Sequence, residues 1–418
     1  MQRFFLFLLP LLTSCTFAKK GESDAYNEYQ WFKVFSGVYY IAKNYYVEEV
    51  SPKKLVINAS KGILEKLDPY SEYYTKEELK EFEEYNYGYF GGIGVEISLD
   101  KGRPVVIAPI EGTPAYKEGI RAGDVIVKIN GEDTYGMSIT DVVKRIRGEP
   151  GTYVELTIYR PEGNKILTLK VKRAVIHVKP VKWTFLEDSK IGYIKIVRFQ
   201  PDTAEELKKA LKSLLEKKIK GLILDVRNNP GGFLDQAVKV ADLFLPPGKT
   251  VVTIKGRVVK GLFKSKNPPI VPKNLKLVIL VNRGSASASE LFSGCLQDYK
   301  RAILVGEKTF GKFSVQNLIP LENGKYGAVR ITTAFYYTPK GRMLDKKGIT
   351  PDVVVKMTNE EWEKLYKFIR EKRIKENIGY GKVVLEPKLD KQLVVALEII
   401  EGTYNPKRKE ETKVETSK

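Results

Sequence analysis

The sequence predicts a mixed α/β (α+β) protein with helical extensions at both ends, and three observations carry that prediction. From Ile191 to Val305, apolar runs of strand length alternate with segments of helical periodicity, the order that builds a parallel or mixed sheet covered by helices. Between about residues 87 and 173 the pattern changes to short alternating runs separated by glycine turns. The flanks, 19–86 and 356–404, place apolar residues at helical spacing. A chain of 418 residues is long enough for two or three domains with proper cores, and 43% hydrophobic with 29% charged residues is ordinary for a globular protein.

In the N-terminal arm, Trp31, Val34, Phe35, Val38 and Ile41 mark one helix, and Ile57, Ile63 and Leu64 a second that Asp68-Pro69 stops. The arm is expected to pack on another part of the molecule or on another subunit. Next, Val95 to Leu99 alternates after Gly91-Gly92-Ile93-Gly94, Val105 to Ile110 and Val125 to Ile129 read as strands, and Thr140 to Arg147 reads as a helix. Val154 to Tyr159 and Ile166 to Val171 complete this region. The glycines of Gly92-Ile93-Gly94-Val95 leave that backbone free to turn. A nucleotide loop is excluded, because no strand-loop-helix carries G-x-G-x-x-G spacing.

Farther on, Thr203 with Glu206 reads as a capping box for a helix with Leu207, Ala210, Leu211 and Leu214 on one face. The strand Gly221 to Val226 runs into Arg227-Asn228-Asn229-Pro230-Gly231-Gly232, a turn that exposes backbone N–H groups ahead of a helix. Thr358 with Glu361 caps a further helix, another starts at Asp390, and the polar stretch 405–418 reads as a disordered tail.

The net charge of +20 comes from 71 Lys+Arg against 51 Asp+Glu. Such a balance can mark nucleic-acid or membrane binding. Here the lysines are spread over helix faces with no basic block interleaved with aromatics, so no nucleic-acid partner is expected. Residues 1–18 read as an export signal: Arg3, an apolar run from Phe4 to Leu12, then small residues. That run is too short to span a bilayer. Leu12-Thr13-Ser14-Cys15 resembles the bacterial lipoprotein box, which would leave a lipidated Cys15 as membrane anchor; cleavage after Ala18 is the competing reading. Both place the mature chain at the cell envelope or in the periplasm.

The segment from Leu277 to Gln316 carries the candidate chemistry. A buried apolar run, Leu277 to Val281, is followed by Ser285, Ser287 and Ser289 ahead of a helix. Hydroxyls there sit beside free N–H groups and the positive end of the helix dipole. The chain has one histidine, His177, 287 − 177 = 110 residues before Ser287, and two cysteines. Zinc would lack ligands, so no metal or cofactor is expected. A nucleophilic serine still needs a base. Lys312 can serve if burial between Phe310 and Phe313 lowers its pKa, and Gln316 can orient the amine. The competing reading is three serines capping a helix and a lysine on the surface. Glu290 shares a helix face with Ser287 and reads as a cap or ion-pair partner, and His177 reads as structural. Cys295, with no disulfide partner, reads as a packed small hydrophobe.

Taken together, these segments resemble the carboxy-terminal processing (tail-specific) proteases, PDZ-containing Ser/Lys peptidases. The likeness rests on Leu224 to Gly232, on Gly284-Ser285-Ala286-Ser287-Ala288-Ser289-Glu290, and on Gly306 to Lys312. It implies a PDZ domain over 87–173 and a crotonase/ClpP-like αβ protease core over 174–355, between the helical arm and the helical region 356–404. By the same likeness Ser287 is the nucleophile, Lys312 the base, at the family's spacing of 312 − 287 = 25, and Gln316 the lysine-orienting residue. Ala288 with Gly231 or Gly232 supplies the oxyanion hole, and Gly92, Ile93, Gly94 and Val95 hold the substrate's terminal carboxylate. The implied partners are C-terminal tails of exported proteins, and a homodimer is implied through terminal helices. Phe313 departs from the pattern, standing where relatives usually carry glycine. Two other outcomes are compatible with the pattern: a catalytically inactive PDZ scaffold at the envelope, and a crotonase-like enzyme acting on a thioester.

Overall fold

The computed structural model describes residues 22–406. The export signal with Cys15, and the tail beyond Pro406, lie outside them. The arm consists of α1 (Glu22–Tyr45), α2 (Pro52–Glu65), β1 (Glu72–Tyr74) and α3 (Lys76–Tyr87). Ser51 caps α2 by accepting from the Lys54 N–H, with Pro52 at the first helical position. Thr75 and Glu78 form a reciprocal capping box for α3. The predicted helical face of α1 points outward: Trp31, Val38 and Ile41 are 67, 61 and 60% exposed.

The glycine-turn region follows. β2 (Tyr89–Gly92) leads into β3 (Val95–Asp100), β4 (Arg103–Pro109), α4 (Pro114–Lys117), β5 (Val125–Ile129), β6 (Glu132–Asp133), α5 (Ile139–Ile146), β7 (Tyr153–Arg160) and β8 (Lys165–Lys172), and β9 (Ala174–His177) returns. The sheet order β3-β4-β5-β7-β8 leaves β3 at an edge. Ile93, Val106, Val142, Leu156 and Ile158 form its separate core. Only the antiparallel ribbon β2–β9, with Gly92 opposite Ala174, carries the chain in and out of this sheet.

The remaining chain comprises β10 (Val181–Leu186), β11 (Ile191–Ile196), α6 (Thr203–Glu216), β12 (Gly221–Asp225), α7 (Leu234–Asp242), β13 (Thr250–Lys255), β14 (Lys260–Lys264), β15 (Lys276–Val281), α8 (Ala288–Asp298), β16 (Ile303–Gly306), β17 (Ser314–Pro320), β18 (Ala328–Tyr337), β19 (Val353–Val354), α9 (Asn359–Lys375) and α10 (Lys391–Glu401). The main sheet runs β10-β11-β12-β15-β16-β19, parallel except for β10 at one edge. Its strands are apolar on both faces because both are covered. Leu222, Leu224 and Ile279 pack under α6, α7 and α8, while Ile223, Val278 and Leu280 pack under α10. A second sheet, β1-β18-β13-β14 with β17 added to β18, lies beyond.

One sequence expectation needs correction. Thr203 is not a cap: Asp202 takes that position, and the Thr203 hydroxyl accepts from the Gln200 N–H and donates to Arg198 O. The helix α8 is enclosed on all sides: from Ala288 to Leu296 every residue is buried. Cys295 packs there as expected, and burial pushes its thiol pKa up.

At the end of β12 a buried ion network fixes the next turn. Arg227 is clamped between Asp225 and Asp390 (Nη2 to Oδ2 2.7 and 2.9 Å), and Tyr193 donates to Asp225 Oδ2 at 2.5 Å. The facing Arg227 charge holds Asp225 well below the usual carboxylate range despite the opposing effect of burial. Because Asp390 also caps α10 by accepting from the Leu393 N–H, one arginine ties that helix to the turn 228–232.

Candidate active site

Ser287 lies where β15 has ended and α8 begins, with φ 55° and ψ −115°. An L-residue holds that left-handed conformation only when its surroundings enforce it. The flanking serines do so. Ser285 Oγ donates to Val226 O at 2.8 Å and accepts from the Asn282 N–H, and Ser289 Oγ donates to Asn229 O at 2.9 Å. Both therefore stitch the serine turn to the turn after β12. Gly231 completes the contact: a Cβ there would fall 2.9 Å from Ser287 Cβ and 2.8 Å from Ala286 O. Only glycine permits that approach at φ +101°.

Ser287 and Lys312, far apart in sequence, are held together by their backbones from two sides. The buried Glu290 carboxylate accepts the Ser287 and Lys312 N–H groups on Oε2 (2.9 and 2.8 Å), and the Thr309 hydroxyl and Gly311 N–H on Oε1 (2.6 and 2.7 Å). Four donors saturate its four acceptor positions. Burial still pushes its pKa up, with the Thr309 hydroxyl first among the bonds that oppose this. Of the two roles read for Glu290, the cap is realised, and among the described residues no ion pair to it is present. On the other side the Tyr336 hydroxyl meets Ser287 O at 2.8 Å and Lys312 O at 2.6 Å. Phe313 fits this arrangement: fully buried, it stacks on Tyr336 with ring centroids 4.4 Å apart.

The Lys312 side chain is half-buried. Burial pulls its pKa down to about 8, the nearby Arg330 charge adds to that, and Asp68, Asp345 and Glu290 oppose it. Its Nζ rests 4.7 Å from the centre of the Tyr70 ring. Among the described residues no hydrogen bond joins it to the Ser287 hydroxyl or to Gln316. Gln316 Nε2 instead donates to Ser314 Oγ (2.8 Å) and Thr332 Oγ1 (3.1 Å). Apo sites commonly tighten only on binding substrate.

Two N–H donors stand beside Ser287. Ala288 is the first residue of α8, whose N–H has no acceptor within the helix. Of the glycine pair, the Gly231 N–H already donates to Asn229 Oδ1 at 2.9 Å, whereas Gly232 is held in place through the bridge between its neighbours and Phe199.

The chain is similar to known proteins. Residues 190–355 match the model of peptidase family S41, and residues 105–160 match that of a PDZ domain. A carboxy-terminal-processing protease of Bartonella bacilliformis is 40% identical over 346 residues, 81% of this chain and 78% of that protein. The chain belongs to that family of serine peptidases. A probable CtpA-like serine protease of Staphylococcus aureus is 42% identical over 76% of this chain, which spans 63% of that protein. A solved photosystem II D1 C-terminal processing protease is similar at 32% identity and a TM-score of 0.48, over 79% of this chain and 88% of that one.

In this chain the Gly92-Ile93-Gly94-Val95 segment joins the ribbon to edge strand β3. Ile93 is core, and the Ile93 and Gly94 carbonyls are taken by the Ala115 and Ile110 N–H groups. Gly94, at φ +78°, lies where a Cβ would fall 2.4 Å from Thr113. His177 is on the ribbon, stacked on Tyr89 and 3.0 Å from Asp202 Oδ2. Its contacts lie there and not with Ser287. Neither Glu290's saturation nor Tyr336 was legible in the sequence; the spacing Ser287 to Glu290 was the one available signal.

Proposed function

We propose that this chain hydrolyses peptide bonds near protein C-termini through Ser287 and Lys312, with Gln316 as third member. The observation that carries this is the double clamp, Glu290 on two N–H groups and Tyr336 on two carbonyls, which fixes Ser287 and Lys312 as one unit. Neutral Lys312 takes the Ser287 proton as Oγ attacks the scissile carbonyl. The tetrahedral oxyanion is met by the N–H groups of Ala288 and Gly232, with Gly231 giving the close approach. Lys312 returns the proton to the leaving amine, and water then releases the acyl group by the same path. Labelling by a serine-directed fluorophosphonate tests this. The wild-type protein should label and Ser287→Ala should not. Labelling that persists in Ser287→Ala, or a wild-type protein that does not label, overturns the assignment.

The domain division in this reading is the one drawn from the sequence, with 87–173 as the tail-capturing unit. Support comes from edge strand β3, to which an extended peptide can add, beside the Gly92–Val95 loop and α5. Excising 93–173 and joining Gly92 to Ala174 through a short linker should preserve fluorophosphonate labelling but abolish preference for substrates with a free C-terminal carboxylate. Unchanged preference would exclude tail capture.

The reading includes export to the envelope or periplasm, with Cys15 as lipid anchor; no described helix is long and apolar enough to cross a membrane. It also includes a homodimer, supported by the outward apolar residues of α1. Sedimentation of the mature chain should give twice the monomer mass, and removing 22–45 should return one copy. A monomeric intact chain would end that part of the proposal.

A further inference from the structure

The N-terminal arm has no catalytic part in the reading above, yet its turn Asp68–Ser71 meets Lys312 and reaches Gln316 through Thr332. We propose that this turn belongs to the active site, Tyr70 positioning Lys312 and Asp68 positioning Gln316. The inference rests on Lys312 being the base.

A chain of hydrogen bonds carries the Asp68 half. Gln316 Nε2 donates to Thr332 Oγ1 (3.1 Å), and that hydroxyl in turn donates to Asp68 Oδ1 (3.2 Å). A hydroxyl that gives its proton to a carboxylate can only accept from the amide, so the Gln316 NH2 is the end turned toward Thr332. Its Oε1 is left to receive an N–H, which is what orienting a lysine requires. Asp68 is itself rigid: it accepts the Tyr70 and Ser71 N–H groups and the Ser71 hydroxyl (2.7, 2.9 and 2.7 Å). The register Glu72↔Arg330 to Tyr74↔Ala328 anchors the turn on β18, the strand that carries Thr332.

The Tyr70 half is the ring beneath Lys312 Nζ. It keeps water from one side of the amine and so favours the neutral form, while its π-face favours the ammonium. The charged groups facing the amine are Arg330 on β18, Asp68 in the arm, Asp345 in the segment after β18 and Glu290 on α8. The tyrosines near it are Tyr70 and Tyr336. Burial is the largest influence lowering the amine below its ordinary range, and the Tyr70 ring, 4.7 Å from Nζ, is part of that cover.

The two residues should therefore move the pH dependence in opposite directions. In fluorophosphonate labelling of the full chain, Tyr70→Ala should shift the midpoint up by about one unit, a tenfold slower rate at pH 7 that recovers near pH 10. Tyr70→Leu, which keeps the apolar cover, should leave the midpoint at or below that of the wild type. Asp68→Asn should shift the midpoint down, because a facing negative charge is lost, and lower the plateau rate. Midpoints unchanged in both Tyr70→Ala and Asp68→Asn, whatever the rates, would mean that the turn is only structural and would overturn the inference. Wild-type labelling by Lys312→Ala would instead overturn the reading of Lys312 beneath it.

Discussion

Alanine at position 312 will lower the rate of peptide cleavage by about 10²–10⁴-fold, the range that a positioned general base contributes. The Ser287 hydroxyl stays where it is, since Glu290 and Tyr336 grip the backbone of residue 312 and not its side chain. The loss is therefore chemical, and thermal melts of the variant should match the wild type. The sign of the pH dependence follows from the same group. Only the neutral amine can take a proton, and burial brings its pKa down to about 8. Wild-type kcat/KM should climb about tenfold per pH unit below 8 and level off above it, and the alanine variant should lose that slope. Lys312→Arg should be as inactive as alanine at every pH, because a guanidinium does not deprotonate in this range. An active arginine variant would exclude proton abstraction by this residue.

Glu290→Ala will remove activity and stability together. It strands the N–H groups of Ser287, Gly311 and Lys312 and the Thr309 hydroxyl in a buried site. Each unsatisfied group costs about 1–3 kcal/mol, so the total is a large part of a typical folding free energy. Glu290→Gln is the informative partner. Its amide keeps one oxygen that can accept two donors but sets an NH2 against the other two, so it should fold with reduced stability and label slowly. Urea unfolding of both variants, read beside labelling rates, checks this. A Glu290→Ala protein with wild-type stability would mean that the carboxylate does not hold the site.

The parts of the fold written in local pattern were legible. Apolar runs gave β12, β15 and β16, the Thr358–Glu361 pair gave the start of α9, and the helical spacing of Trp31 to Ile41 gave α1. Local pattern does not say what a face meets: α1 has the periodicity of a buried helix and an exposed surface. The Thr203–Glu206 spacing has a capping-box form, but the Thr203 hydroxyl is recruited by the chain before it, a competition that spacing cannot decide. In the candidate site, Ser287 and Lys312 stood out by type and context. Their fasteners did not. Tyr336 looks like any strand tyrosine until β17 and β18 pair, and Asp68 looks like a helix stop until β1 lands on β18 beside Thr332. The β1–β18 pairing joins residues more than 200 positions apart, beyond the reach of any periodicity.

The ribbon β2–β9 gives the molecule an interchangeable part. Because Gly92 and Ala174 sit opposite each other, the β3–β8 sheet enters and leaves through one doorway, and its core shares no residue with the cores around the main sheet. Such a cassette can be replaced without re-registering a single strand of the hydrolytic body. If the proposed tail capture by this unit holds, recognition of new tails can evolve, or be engineered, at one address while the cutting machinery at the other stays constant.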